Sequence, residues 1–217
     1  MKSDTLLTEL LALKQSILDG KTVTAWTRLS RLIDTVEAEI RTEANKTGGV
    51  SSIVKAAERI MKSASKNAHK VLHKAHRTDK HVTICDGFRV VRFNADTAPV
   101  LTEHPAGYEY IDVARIVEQW AKNTLPVQMP TLAELRAFIK TEKARLKAEK
   151  KLPLVRFILN EGTEHEIHVD AQFLLDMLEA LPGATVTADE QKYKTSALYF
   201  KAANGDGVLL PLRQGKA

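Results

Sequence analysis

The chain predicts an α+β protein, and three stretches carry that expectation. Residues 4 to 45 repeat leucine, isoleucine, valine and tryptophan at spacings of three and four, the period of a helical seam. His81 to Phe93 reads as two strands joined at Asp86-Gly87, a dipeptide suited to a tight hairpin. Val169 to Arg213 reads as a short helix followed by strand-like runs, with the turn Asn204-Gly205-Asp206-Gly207 before the last, because Asn-Gly tolerates positive φ.

Composition sets the bounds. The chain has 217 residues and a mass of 24.1 kDa, room for one domain and an appendage. No apolar run approaches the ~18 residues of a membrane span, and the polar N-terminus does not resemble a secretory signal. A membrane partner is not expected. The single Cys85 excludes an internal disulfide and fits a reducing, cytoplasmic setting. A formal charge of +5 and a pI near 9.2 permit contact with nucleic acid without requiring it.

Within residues 1–49 the expected unit is a helical hairpin. Leu6, Leu10, Leu13 and Ile17 form one seam, and Trp26, Leu29, Ile33, Val36 and Ile40 form the other. Asp19-Gly20-Lys21 separates the helices, with Thr22 or Thr24 available as a cap, and Asn45 to Gly49 closes the second helix and begins a linker. Two helices bury little alone. The seam must pack on the following domain, on a partner, or on a second copy as a homo-oligomer. Over residues 4 to 45 acidic residues outnumber basic ones, which makes the helices a poor DNA contact.

Residues 50–217 form the second expected domain. Ser51 or Ser52 caps a helix through Ile53, Val54, Ala57, Ile60, Met61 and Ala64, with Lys55, Arg59, Lys62 and Lys66 largely on its other side. Residues 70 to 77 read as a strand carrying Lys70 and Lys74. The basic residues Lys55, Arg59, Lys62, Lys66, Lys70 and Lys74 fit either a DNA-binding surface for phosphates or a solvated face. His69, His73, His76 and His81 follow no zinc-ligand spacing, so no metal is expected.

Thr97 to Gly107 reads as irregular and Asn123 to Pro130 as a linker, because of their prolines. Thr131 caps a charged helix from Leu132 to Lys150, the core of an insert spanning 130–151. Lys143, Lys147, Lys150 and Lys151 gather at its C-terminal end, where the helix dipole favours cations. Leu154 to Leu159 and Glu164 to Val169 read as a hairpin around Asn160 to Thr163. In that register Glu164, Glu166 and His168 share one strand face. Two carboxylates and an imidazole there fit either a catalytic site or the wet face of an antiparallel strand. Asp170 caps the following helix, whose stripe is Phe173, Leu174, Met177, Leu178 and Leu181, and Pro182-Gly183 ends it. The chain closes on a strand, Val208 to Arg213.

Two of these stretches resemble the bacterial DNA sliding clamp, the ring that gives polymerases their processivity. Leu174-Leu175-Asp176-Met177-Leu178-Glu179-Ala180-Leu181-Pro182 and the ending Leu210-Pro211-Leu212-Arg213 are similar to the last helix and last strand of a clamp domain. Ile84-Cys85-Asp86-Gly87-Phe88-Arg89 is similar to a strand and turn of the first half, and Tyr110 to Trp120 to the segment joining the halves. The resemblance implies a DNA-clamp-like domain of two helix-plus-antiparallel-sheet halves, 52 to 93 and 170 to 213. It also implies that Leu210, Pro211, Leu212 and Arg213 line a partner-binding groove for short replication-protein peptides. A clamp domain has no charged helix at 130–151, and a single domain cannot close a ring without further copies.

No phosphate loop, dinucleotide fingerprint, nucleophile elbow or His-Glu-x-x-His motif occurs, and nothing asks for a cofactor. The expected function is a non-enzymatic accessory or scaffold protein of DNA replication or maintenance, of bacterial or phage type, binding a protein partner, DNA, or both. The alternatives are a basic DNA-binding protein unrelated to clamps, and an enzyme using Glu164, Glu166 and His168.

Overall fold

The computed structural model describes residues 3–47, 51–66, 72–105, 108–151 and 154–213. The chain divides into two compact units, Met1–Ser51 and Ser52–Ala217. Among the described residues no helix is long and apolar enough to cross a membrane.

The first unit is a pair of helices, α1 (Ser3–Leu18) and α2 (Thr22–Thr47), packed against each other. A left-handed glycine makes the turn between them. Gly20 takes φ 69°, the Lys21 N–H reaches the Ser16 carbonyl at 2.9 Å, and the Gly20 N–H reaches that of Ile17 at 3.0 Å. Such bonds satisfy carbonyls that the end of a helix leaves open. Neither Thr22 nor Thr24 caps α2. The Lys21 carbonyl accepts from Ala25 at 2.9 Å, so Lys21 holds the cap place, and Thr22 lies inside the helix.

The expected single seam is split. Small Ser16 and Ala25 are buried between the helices, and Leu6, Leu13, Leu29, Leu32 and Val36 are half-buried beside them. Leu10, Ile17, Trp26, Ile33 and Ile40 are exposed. At 100° per residue, Trp26, Ile33 and Ile40 fall on one line of α2, turned well away from the line of Ala25 and Leu32.

The second unit opens with α3 (Ser51–Lys66) and the strands β1 (His76–Arg77), β2 (His81–Cys85) and β3 (Arg89–Asn94). Next come α4 (Val113–Trp120), β4 (Leu125–Pro126) and α5 (Leu132–Ala148), followed by the hairpin β5 (Arg156–Leu159) and β6 (Ile167–Asp170). α6 (Ala171–Ala180) leads into β7 (Thr185–Ala188), β8 (Leu198–Ala202) and β9 (Gly205–Leu209). The main sheet is antiparallel with strand order β1-β2-β3-β9-β8-β7-β4, and β5-β6 form a separate ribbon. Its two outer strands, β1 and β4, have two residues each, and β4 carries Pro126.

The period-two alternation of the strands sorts the core into two faces. Val82, Ile84, Val91, Phe93, Val186, Leu198, Phe200 and Leu209 share one cluster with Ala57 and Ile60 of α3, Leu135 and Ile139 of α5, and Leu174, Met177 and Leu181 of α6. Cys85, Val90 and Val208 join Val113 and Val117 of α4 in a second cluster. The helices α3, α5 and α6 therefore cover one face, and α4 packs on the other.

Several expectations change in detail. The stretch 110 to 120 is not a plain joining segment: Asp112 accepts the Arg115 N–H at 3.1 Å and starts α4. The charged helix at 130–151 has the expected Thr131 cap and forms α5. Its capping box, Thr131 with Glu134, is present, and its residues Leu135, Ile139 and Leu146 are buried. Of the strand expected over 70 to 77 only His76–Arg77 is a strand, and residues 67–71 lie outside the described chain. The linker at 123 to 130 contributes β4.

The last hairpin is tighter than the expected turn over Asn204 to Gly207, three residues of which belong to β9. Ala202 pairs with Gly205, so Ala203-Asn204 form the loop and Gly205 and Gly207 sit within β9. Their role is close approach. A Cβ at Gly207 would stand 2.5 Å from the Val90 carbonyl oxygen and 2.8 Å from Met177 Cε, and one at Gly205 would collide with the Arg92 carbonyl oxygen.

Candidate functional site

The chain end expected to bind partners leaves the sheet at Leu209. Leu210 donates its N–H to the Phe88 carbonyl at 2.9 Å, and Leu212 donates to the His168 carbonyl at 2.7 Å. The segment thus steps from the β2–β3 loop to β6 and ties the main sheet to the β5-β6 ribbon. Leu210 and Phe88 are exposed, Pro211 and Leu212 half-buried, and Arg213 exposed. Residues 214–217 lie outside the described chain. The two phenyl rings of Phe88 and Phe173 lie 5.9 Å apart. The Nδ1 of His168 is buried without a hydrogen-bond partner, an orphan polar atom on the residue that receives Leu212.

Behind this edge lies a charged network that sequence reasoning missed. Arg89, 1% exposed, donates to Asp86 Oδ2 at 2.6 and 3.0 Å and to Asp176 Oδ2 at 2.6 Å, and its guanidinium lies 3.9 Å from the centre of the Phe173 ring. Asp86 also accepts the backbone N–H groups of Phe88 and Arg89 at 3.0 and 2.8 Å, which fixes the β2–β3 loop. From α3, Arg59 reaches Asp176 Oδ1 at 2.6 Å and also Glu179, and Arg136 of α5 reaches the other Glu179 oxygen at 2.5 Å. Three cations face three carboxylates, so the cluster is charge-balanced. Each burial cost is met only by the partner's presence. The signal in the sequence is Asp176, a carboxylate set between Leu175 and Met177 on an apolar helix.

Of the expected DNA-binding residues, this network takes up Arg59. Arg59 is held by Asp176 and Glu179. Lys55 and Lys62 are exposed on α3, seven residues apart and hence on one face, with the exposed Glu58 between them. Lys74 is half-buried. The side chain of Lys66 and all of Lys70 lie outside the described residues.

The expected row Glu164, Glu166 and His168 does not form. β6 starts at Ile167, so both glutamates lie in the preceding turn. Glu166 accepts the Gly162 N–H at 2.9 Å, and Glu164 is exposed. The strand is shorter because Asn160, at φ 53°, and Gly162, at φ 78°, open a wider loop than a tight hairpin. Elsewhere, His104 stacks on Tyr108 at 4.0 Å and His76 on Tyr110 at 4.8 Å, with His73 edge-on to His104 at 5.6 Å. Among the described residues no group of three His, Cys, Asp or Glu is placed to hold a metal ion. His69 is outside the described chain. Cys85 is buried, which pushes its thiol up to about 11 and keeps it protonated at neutral pH.

No protein-family model matches the chain, and neither a curated protein nor a solved structure matches it.

Proposed function

We propose that this chain is a non-enzymatic accessory protein with a sliding-clamp-like domain, and that it works by holding a partner peptide along its C-terminal edge. One observation carries the reading. Two blocks of the same order, α3-β1-β2-β3 and α6-β7-β8-β9, meet at the antiparallel pair β3–β9, so the sheet runs β1-β2-β3 and then β9-β8-β7 outward from a common centre at Val91 and Gly207. An antiparallel central pair has a local two-fold, and the helices α3 and α6 contribute to the same core face. This repeated order supports the reading of two helix-plus-sheet halves.

The helix α5 argues for a peptide rather than encircled DNA. Clamp domains line their ring with helices that face DNA, and here α5 lies on α6, with Arg136 on Glu179 and Lys143 on Gln172 at 2.9 Å. At the C-terminal edge, Phe88 and Leu210 offer exposed apolar surface beside Leu212 and Arg213, the chemistry that takes a leucine- or phenylalanine-anchored peptide.

The test is a titration of a labelled Gln-Leu-x-Leu-Phe peptide against the protein and its Leu212→Asp variant, with duplex DNA titrated in parallel at low salt. Peptide binding that Leu212→Asp removes supports the reading. Equal affinity for both proteins, or no binding below millimolar peptide, overturns it. Salt-sensitive DNA binding lost in a Lys55→Glu/Lys62→Glu variant would instead favour the exposed lysine face of α3.

A further inference from the structure

We infer that the α1–α2 hairpin is a self-association module, and that its open apolar face takes the same face of a second copy of this chain. Exposed apolar residues run along both helices; Leu7, Leu11 and Leu18 form one line on α1, about 100° from a second line of Leu10 and Ile17 that meets α2. Ile17 and Trp26 border a single groove of about 500 Å³, together with Leu13, Val23, Ala25 and Leu29. Leu10 lies seven residues before Ile17 on α1, and Ile33 and Ile40 follow Trp26 at steps of seven on α2, so all five continue the groove's side along both helices. They are exposed in spite of their size: Trp26 is 70% accessible, Ile40 62% and Ile17 61%.

The occupant is argued from symmetry and area. A two-fold interface must be self-complementary. The open line of α2 is centred on Ile33, with Trp26 seven residues before it and Ile40 seven residues after. An antiparallel meeting of two α2 helices therefore sets Ile33 against its own copy and Trp26 against the partner's Ile40, large against large at each level. One charged residue, Glu37, stands about 40° from Ile33 on this side, four residues after it and three before Ile40. Arg28, Arg31 and Glu39 lie on the other sides of the helix, and Glu37 is drawn toward Arg41 at 3.5 Å. The exposed parts of Leu10, Ile17, Val23, Trp26, Ile33 and Ile40 offer apolar surface on the order of 700 Å², close to the ~800 Å² that each partner contributes to a stable interface. Two such hairpins complete a four-helix bundle.

The experiment is sedimentation of the full chain over a concentration series, with Ile33→Asp and, as a control on another side of α2, Arg31→Glu. The expected result is a mass twice the 24.1 kDa of the chain for the parent and for Arg31→Glu, and a halved mass for Ile33→Asp with helical circular dichroism retained. A second variant guards against misfolding: Ile33→Cys in a Cys85→Ala background should cross-link to its own copy under mild oxidant. A monomeric parent at high micromolar concentration, an unchanged mass for Ile33→Asp, or no cross-link each overturns the inference. The first of these outcomes would assign the face to another partner or to the rest of the chain.

Discussion

Arg89 and Asp176 meet at 2.6 Å across 87 residues of sequence, with side chains 1% and 3% exposed. The pair joins the first strand residue after the β2–β3 loop to the middle of α6. Breaking such a pair by removing one partner costs far more than the net stabilisation it gives, because a buried charge is left behind. Arg89→Met strands Asp86 and loosens Asp176, and should destabilise the protein by about 3–5 kcal/mol. Arg59→Met removes a guanidinium that is 40% exposed and leaves Asp176 with Arg89, so solvent screening holds its cost to about 1–2 kcal/mol. Urea unfolding of the two variants gives both values, and an Arg59 cost equal to that of Arg89 would refute the ordering.

Asp170 caps α6 through the N–H groups of Gln172 and Phe173, at 2.8 and 3.1 Å. Burial raises its carboxyl above the usual 3.8, outweighing those two hydrogen bonds. The folded state therefore holds the proton to a higher pH than the unfolded chain. The Asp170 contribution to stability falls as pH rises from about the unfolded value through the raised folded one, and is flat above it. Asparagine caps as well and carries no charge. Asp170→Asn should leave stability at pH 7 unchanged or improved and remove this slope, while Asp170→Ala should lose about 1 kcal/mol with the cap. Melting profiles of the three proteins from pH 3 to 7 separate the cases.

Gly207 and Gly183 are expected to respond differently to alanine. Gly183 has φ 70° and open space for 4 Å around the place a Cβ would take, so Gly183→Ala costs the left-handed strain alone, about 1 kcal/mol. Gly207→Ala forces a methyl group against the Val90 carbonyl and Met177, and should cost about 3 kcal/mol or more. Thermal melts compare them directly, and equal costs would mean that β9 shifts freely away from β3.

Cys85 should not react with a disulfide reagent such as DTNB at pH 8 in the native protein. Its thiol is buried and its thiolate suppressed. Labelling should follow global unfolding as denaturant is added. Rapid labelling of the native protein would mean that β2 opens locally.

Local chemistry is legible in the sequence. The Gly20 stop, the Thr131–Glu134 capping box, the Asp170 cap and the Asp86-Gly87 turn each act within a few residues, and each is present. The helix α4 is written there too, in Asp112 followed by Val113, Val117 and Trp120, although the clamp resemblance points to a connection at that place. Tertiary demands are not legible. Gly205 looks like a turn residue, yet its lack of a side chain serves the approach of β9 to β3. Arg59 looks like a phosphate ligand because nothing near it in sequence reveals Asp176 and Glu179 across the core. The carboxylates at 164 and 166 look like a strand face because alternation alone cannot say where a loop ends. For the C-terminal edge, the sequence points to Leu210 through Arg213. It does not point to Phe88, which reaches that edge only through the hairpin that carries it.

The outer strands of the main sheet have a consequence for how copies of the protein can meet. A broad antiparallel sheet with long free margins invites strand-by-strand growth into fibres. Here both margins stop after two residues, and Pro126 has no N–H to offer a newcomer. Growth by adding strands is therefore blocked at both rims. At these rims contact is left to side-chain surfaces, which can close on a fixed number of subunits and then stop.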